Sequence, residues 1–185
     1  MSQLPGSPST GSLQARSRLA GAAAASALNA PMVRFDSQGG LRTLETELWV
    51  ARPREEVFPF FANARNLEAI TPPLLRFAIL TPGPIEMRVG LRIDYQLRVR
   101  GMPLRWQSEI TAWEPPIRFV DEQRRGPYRV WIHEHNFEER AGGTLALDRV
   151  RYAVPGGGLL ERFFVRPQLR QIFAYRQTKL GEIFS

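Results

Sequence analysis

The sequence predicts an α+β domain in which a curved antiparallel sheet of about six to seven strands wraps around a long C-terminal helix. Three observations predict this fold class. Residues 42–154 contain successive segments of alternating apolar and polar residues, the pattern of half-buried strands. Short turns separate most of these segments, so neighbouring strands are expected to form antiparallel hairpins. Residues 159–184 then change to the apolar spacing of an amphipathic helix.

Two short helices are predicted after the first strand. That strand covers residues 42–50, where apolar positions alternate with polar ones. Pro53 follows at a position that the first turn of a helix tolerates, and the helix is expected to run to about Ala64. A second helical turn is predicted over residues 66–70, because Pro72 and Pro73 stop it.

Proline and glycine residues divide the middle of the chain into further strands. Each predicted segment has period-two alternation or a short apolar run, and each ends at a turn signal. Together with the first strand they provide the sheet. The segments are residues 77–80, 91–100, 104–113, 118–124, 128–138 and 144–154.

The C-terminal helix is expected to follow a flexible joint at residues 156–158, which are three glycines. Pro167 lies inside the helical pattern, lacks a backbone donor and crowds the carbonyl four residues earlier. A kink or break is therefore predicted there. A sheet that curves around this helix leaves a cavity wherever the side chains do not meet.

The N-terminal part of the chain differs in composition from the rest. Residues 1–31 are rich in Ser, Ala, Gly and Pro and contain no aromatic residue, so they are expected to form no core. We predict a disordered low-complexity extension over residues 1–40 and a folded domain over residues 41–185. Two interpretations of the extension stay open, a secretion signal and a non-functional stretch upstream of Met32.

Composition excludes several classes of function. The 185 residues include no Cys, which excludes thiol catalysis, disulfides and Cys-ligated metals. The net charge is +7, but 24 of the 25 basic residues are arginines scattered among acids, and Lys179 is the single lysine. We therefore expect no nucleic-acid partner, no cofactor and no stable membrane insertion, with a cytoplasmic location. A protein partner is left open.

Three blocks of residues carry a resemblance to a known group of proteins. They are residues 66–67 with 70–73, residues 121–123 and 126–128 with Trp131, His133, His135 and Phe137, and residues 142–144 with Asp148, Val150, Tyr152 and Pro155. Over about residues 42–185 the chain resembles the bacterial ligand-binding group of the SRPBCC superfamily. That superfamily includes START lipid-transfer domains, the birch-pollen allergen, coenzyme Q-binding START-like proteins and polyketide cyclase/dehydrases. The resemblance implies a helix-grip fold with a hydrophobic pocket and no single ligand.

His133 and His135 are the only histidines, and their spacing on a strand projects both rings onto one face. Three interpretations stay open. The rings form an acid/base pair oriented by Asp148, they bind a metal with a third ligand such as Asp148 or Glu109, or they are hydrogen-bonded pocket residues. We expect no tightly bound metal, because two histidines without cysteine leave a site short of strong ligands.

Other candidate pocket residues are polar groups or large aromatics on the apolar sides of strands. Strand parity places Asp148 and Tyr152 on one side, away from Arg149 and Arg151, which favours the inner face for the first pair. Large aromatics at such positions also fill cores without touching a ligand. The predicted ligand contacts are Tyr95, Trp106, Gln123, Trp131, His133, His135, Asp148 and Tyr152.

Three functions fit these observations. The leading one is a carrier or sensor of a hydrophobic small molecule such as a lipid, quinone or polyketide-like compound. The alternative is a cyclase or dehydratase acting on a polyketide-like or aromatic substrate, with His133 or His135 as base and Asp148 as orienting partner. The third is an accessory module that binds a protein through an exposed apolar patch.

Overall fold

Eight antiparallel strands form one sheet in the computed structural model, which describes residues 32–38 and 40–185. Sharp hairpin turns connect several of them. Arg100 and Gly101, for example, have φ values of 51° and 82°, as a two-residue turn of the mirror-image type requires. The strands are β1 Val33–Gln38, β2 Leu41–Val50, β3 Ala78–Ile79, β4 Arg92–Val99, β5 Met102–Glu114, β6 Arg118–Arg125, β7 Val130–Arg140 and β8 Gly143–Ala153.

The order of strands in the sheet is β1-β2-β8-β7-β6-β5-β4-β3. Hairpins account for most neighbours, whereas the pairing of β2 with β8 joins strands that are far apart in the sequence. Thr46 lies opposite Asp148 in that pair, and Asp121 of β6 lies opposite His133 of β7. This order brings polar residues of β2, β6, β7 and β8 into one row on the face that packs against the helices, which we call the inner face.

The helices lie in two parts of the chain. The first part follows β2 and combines an α-helix with two 3₁₀ turns, and the second follows β8 and ends the chain. Their bounds are α1 Arg54–Ala62, 3₁₀ turns Ala64–Leu67 and Pro73–Leu75, α2 Gly157–Leu160, a π-helical turn Glu161–Val165 and α3 Arg166–Ile183. None of these described helices is both long and apolar enough to cross a membrane.

Two apolar clusters fill the space between the inner face and the helices. One joins α1 and the end of α3 to the sheet, and the other joins the middle of α3 to β2 and β8. Burial of this apolar surface is the main force that holds the helices on the sheet. The first cluster includes Leu48, Phe58, Phe119, Phe137 and Leu180, and the second includes Leu44, Val150, Tyr152, Leu169 and Phe173.

A buried glutamate anchors the start of the C-terminal helix to the sheet. Glu161 is 1% exposed, and its Oε1 accepts hydrogen bonds from the Tyr152 hydroxyl at 2.8 Å and from Arg166 Nε at 3.1 Å. The irregularity of the helix lies in the π-helical turn of residues 161–165 rather than at Pro167. Pro167 is the second residue of α3, directly after this turn, and removes one backbone donor there. The predicted break at Pro167 is therefore displaced by one turn.

The structure confirms the predicted fold class and extends the sheet at one edge. The predicted six to seven strands become eight, because β1 is added, whereas the predicted segment of residues 77–80 forms the two-residue β3. β1 pairs with β2 along its length, so the sheet begins before the predicted boundary between residues 40 and 41. Because Asp36 and Ser37 are polar, β1 lacks the regular apolar alternation from which the other strands were predicted. The prediction of disorder for residues 1–31 lies outside the described residues.

Candidate functional site

A cavity of about 190 Å³ lies between the inner face of the sheet and α3. Its wall is mostly apolar and comes from strands β4, β5, β6 and β7, the 3₁₀ segments and one side of α3. Concave apolar cavities with few polar groups are the usual form of small-molecule sites. Apolar residues of the wall include Ile70, Leu75, Ile93, Leu97, Leu104 and Ile110.

Aromatic side chains form one wall of the cavity. Tyr95 stacks on Trp106 with ring centroids 5.9 Å apart, and Trp131 meets the edge of Trp106 at 5.2 Å. Tyr128 closes the group, at 4.7 Å from Trp131. Tilted and edge-to-face pairs of this kind fix the rings in place, so the wall is preorganised for an apolar guest.

Two histidines and two aspartates form a buried cluster beside this wall. His133 and His135 are each 5% exposed, and their ring centroids lie 3.8 Å apart. Asp148 lies at one edge of this pair, where its Oδ1 is 3.1 Å from His133 Nε2 and 2.7 Å from His135 Nδ1. Asp121 lies at the other edge, with its Oδ2 3.4 Å from His135 Nε2 and 3.6 Å from His133 Nδ1. We call these four residues the His–Asp cluster.

The two imidazoles differ in charge. Burial opposes protonation of His135, but the carboxylates of Asp148 and Asp121 outweigh it and raise the pKa of His135. Burial and the charge of His135 lower the pKa of His133, against the opposite pull of Asp148. His133 is therefore the neutral ring, and its Nε2–H donates to Asp148, which leaves the lone pair on Nδ1.

Both carboxylates of the cluster stay ionised. Burial alone would raise the pKa of each, but the neighbouring histidines reverse the effect. The pKa of Asp121 is lowered chiefly by its hydrogen bond from His135, and that of Asp148 falls well below its ordinary value through the charge of His135. Thr46 adds a weak contact, its hydroxyl 3.5 Å from Asp148 Oδ2.

Hydrogen bonds link the cluster to the aromatic wall through Ser108. Trp106 Nε1 can only donate, and it does so to Ser108 Oγ at 3.1 Å. Asp121 can only accept, so Ser108 donates to its Oδ1 at 3.1 Å. The Tyr95 hydroxyl, 2.9 Å from Ser108 Oγ, is therefore the donor of its bond. Burial raises the pKa of Tyr95 well above 10.0, so this proton is held.

The spacing of the His–Asp cluster also bears on whether these residues could bind a metal ion. Asp121, His133 and His135 each present one donor atom within 4.8 Å of the others, a separation that one metal ion can bridge. In the structure, however, these nitrogens face the two carboxylates. Asp121, rather than the predicted Asp148 or Glu109, is the third group. The expected absence of a tightly bound metal stays a prediction.

Five of the eight predicted ligand contacts line the cavity, and three do not. Gln123 uses both amide atoms on the backbone of Tyr128, at 2.7 and 3.3 Å. Tyr152 is fully buried on Glu161, and Asp148 lies behind the imidazoles. Internal hydrogen bonds satisfy these three polar groups in the structure. Their direct contact with a ligand stays a prediction. The five that line the cavity are Tyr95, Trp106, Trp131, His133 and His135.

Several polar residues of the cavity wall were not predicted, and three of them bear on its chemistry. Asp121 and Ser108 lie on the inner face of β6 and β5, where the parity of Gln123 and Trp106 would have placed them. Arg176 lies on α3, three residues after Phe173 and four before Leu180, within the apolar stripe of that helix. An arginine among the apolar residues of a helix is visible in the sequence, but a count of charges alone does not reveal it.

The sequence matches a family described as polyketide cyclase / dehydrase and lipid transport over residues 50–178. This match covers more than half of the chain. The chain belongs to this family. Membership confirms the resemblance to the SRPBCC superfamily. No curated protein matches the sequence.

Several solved structures share the fold of the chain. Protein Ms6760 from Mycobacterium smegmatis is 19% identical, with a TM-score of 0.62, and the alignment covers 82% of this chain and 95% of that one. A protein from Arthrobacter aurescens is 16% identical at a TM-score of 0.63, with coverages of 80% and 91%. Major latex-like protein 151 from Panax ginseng is 11% identical at 0.56, with coverages of 77% and 97%. These likenesses confirm the helix-grip fold.

Proposed function

We propose that this domain is a carrier or sensor that binds a hydrophobic small molecule in the cavity between the sheet and α3. Membership of the family supports ligand binding of this general kind. The observation that carries the proposal is the cavity itself, about 190 Å³ in volume with a largely apolar, aromatic wall. Lipids, quinones and polyketide-like compounds are the candidate ligands, and the cytoplasmic location stays a prediction.

The internal hydrogen bonds of the wall favour binding over turnover. Ser108 joins Tyr95, Trp106 and Asp121, so their polar atoms are satisfied before any ligand enters. A guest therefore meets a stiff, mostly apolar surface and loses little free energy to rearrangement. This is the requirement of a carrier or sensor, which must hold its ligand and release it unchanged.

A neutral fluorescent probe tests the proposal. N-phenyl-1-naphthylamine should bind the folded protein at one molecule per chain, with the negative heat-capacity change of apolar burial. Leu97→Trp should weaken this binding, because Leu97 lines the cavity and the larger ring fills it. The matched control is Leu159→Trp, since Leu159 is 75% exposed and lies outside the cavity. A protein that binds no probe, or two variants with equal affinity, would overturn the proposal.

An enzyme is the second candidate, and the His–Asp cluster is the observation that favours it. The two histidines line the cavity and have pKa values displaced in opposite directions. Such a separation assigns a neutral base and a charged acid to adjacent groups. His133 Nδ1 faces Asp121 Oδ2 at 3.6 Å in the structure and would have to turn from it to take a proton from carbon beside a carbonyl of a polyketide-like substrate. His135 would give a proton to the oxygen that gains negative charge or leaves as water.

The native ligand separates the two candidates. Native mass spectrometry of the protein from its own host identifies a co-purifying molecule, which is then incubated with wild type and with His133→Gln. A carrier returns the molecule unchanged in both cases. An enzyme converts it in wild type and loses the conversion by a factor on the order of a hundred in the variant, while binding persists.

A further inference from the structure

One cation in the wall of the cavity has no ion-pair partner among the described residues. Arg176 of α3 is 9% exposed and lines the cavity, and its Nε makes no hydrogen bond. Within residues 32–38 and 40–185, no carboxylate lies at ion-pair distance from its guanidinium. The group only rests over the ring of Phe173, at 5.0 Å from the centroid.

Other partly buried arginines of the domain are paired. Arg166 donates to both oxygens of Glu161 at 3.1 and 3.2 Å, and Arg118 donates to Glu134 at 3.1 Å. Burying a guanidinium without such a partner is costly, because the charge loses its water and gains no acceptor. The position of Arg176 therefore indicates that its acceptor is supplied from the cavity.

The remaining polar groups of the wall do not supply that acceptor. Asp121 is occupied by Ser108 and His135, and Asp148 is occupied by His133. The Tyr95 hydroxyl donates to Ser108, and no hydrogen bond joins its oxygen to Arg176 in the described part of the chain. Arg176 thus remains a charged donor of the cavity wall without an acceptor among the described residues, and most of that wall is apolar.

We propose that the ligand of this cavity is an apolar carboxylic acid whose carboxylate binds Arg176. The inference deepens the proposed function and rests on it. A planar guanidinium suits a carboxylate, because two parallel N–H groups meet two oxygens. The apolar body of the acid then lies against the aromatic wall. Arg176 accordingly selects acids over esters and alcohols of the same length.

Competition against the neutral probe tests this selection. Laurate and methyl laurate are titrated separately into protein loaded with N-phenyl-1-naphthylamine, using wild type, Arg176→Met and Arg170→Met. Methionine keeps much of the bulk of arginine and removes the charge. Arg170 is the matched control, because it lies on the same helix but is exposed and only covers the ring of Phe35.

The expected result is specific to one competitor and one variant. Arg176→Met should weaken displacement by laurate about tenfold to a hundredfold, the usual range for a lost charge-assisted hydrogen bond, and leave methyl laurate within about twofold. Arg170→Met should match wild type for both. Equal laurate affinity in wild type and Arg176→Met would overturn the inference. Failure of the probe itself to bind wild type would instead overturn the proposed function.

Thermal unfolding without ligand gives an independent readout. Removing an unpaired buried charge should leave the midpoint of Arg176→Met equal to or above that of wild type, and laurate should raise the midpoint of wild type more. A lower midpoint together with unchanged laurate affinity would show that Arg176 stabilises the fold and does not bind the ligand.

Discussion

The rings of His133 and His135 lie with centroids 3.8 Å apart and are tilted by 38°, and a carboxylate lies at each edge of the pair. Two ionised carboxylates, one charged ring and one neutral ring share this buried space. Each aspartate contacts both rings, so the charge of His135 is stabilised from two sides while the proton of His133 is held by Asp148. The packing of Phe119 on His135, at 4.1 Å between centroids, keeps water from this arrangement.

The opposite shifts of the two histidines predict a stability maximum near pH 6.5. The pKa of His135 is raised above 6.5 in the folded state, so its contribution is present below that pH and is lost as the pH rises through the raised value. The pKa of His133 is lowered below 6.5, so its contribution is present above that pH and is lost as the pH falls. Urea unfolding measured from pH 4 to 9 checks this expectation.

Single substitutions of the two histidines test which ring causes the loss of stability on each side of this maximum. His135→Gln should remove the alkaline decline, and His133→Gln should remove the decline between about pH 6.5 and the lowered pKa. Below the ordinary aspartate pKa of 3.8, wild type should also lose stability, because the unfolded chain protonates Asp121 and Asp148 there while the folded state keeps them ionised. Profiles that match wild type in both variants would show that the cluster does not set the pH dependence.

The same geometry predicts that the purified protein holds no equivalent of metal. Each ring nitrogen of the His–Asp cluster already faces a carboxylate oxygen, and a metal would have to displace these contacts. Elemental analysis of protein prepared without chelator is the measurement. One equivalent of zinc, iron or copper that disappears in a His133→Ala, His135→Ala double variant would contradict the prediction.

Deletion of residues 1–31 is expected to leave the thermal midpoint unchanged. Their composition gives them no aromatic residue with which to join the core. The deletion leaves β1 intact, because that strand starts at Val33. A shorter chain starting at residue 41 is the useful comparison, since it lacks β1 and should unfold at a lower temperature. A drop of several degrees in the first variant would show that the extension contacts the domain.

The alternation of apolar and polar residues was sufficient to predict strands β2 to β8 and the face of the sheet on which Asp148 and Tyr152 lie. The alternation of residues 144–154 placed Asp148 and Tyr152 inside, and the structure has both on the inner face. Hairpin signals also order β4 to β8 correctly. These features depend on local spacing, and local spacing is what a single sequence records.

Strand register, which a single sequence does not record, brings Asp121 and Thr46 to this cluster. The sequence named Asp148 as the orienting partner of the histidines, but not these two residues. Asp121 meets His133 because β6 and β7 pair at one particular register, and Thr46 meets Asp148 through the distant pairing of β2 with β8. A shift of two residues would keep every side chain on its face and separate these groups. Gln123 lies outside the cavity wall, because its amide is used by the turn that leads to Tyr128.

Two glycine substitutions should change stability in opposite directions. A Cβ at Gly143 would lie 2.3 Å from the carbonyl oxygen of Val50 and 2.7 Å from the ring of Trp49, so Gly143→Ala must push β8 from β2. We expect a loss of about 2 kcal/mol. Gly181 lies in α3 with open space around it, and Gly181→Ala should gain about 0.5–1 kcal/mol. Urea unfolding of both variants measures the difference, and losses of equal size would contradict this account.

The contact of Tyr152 with Glu161 should be the strongest coupling between the sheet and the C-terminal helix. Glu161 also pairs with Arg166, and its Oε2 lies 3.7 Å from Arg42 Nε. Glu161→Gln keeps the shape but leaves these arginines without a carboxylate, so we expect a loss of about 2–3 kcal/mol. Tyr152→Phe removes one hydrogen bond and should cost about 1 kcal/mol.

A double-mutant cycle tests whether these two losses have the same origin. The Tyr152→Phe, Glu161→Gln double variant should lose less stability than the sum of the single variants, because Glu161→Gln makes the acceptor of the 2.8 Å hydrogen bond neutral and weaker and Tyr152→Phe removes its donor. Glu182→Gln is the control, since its pair with Lys179 lies on the surface and its loss should change the urea midpoint within error. Strict additivity in the cycle would show that Glu161 acts through the arginines alone, and that the hydroxyl of Tyr152 does not hold the π-helical turn on β8.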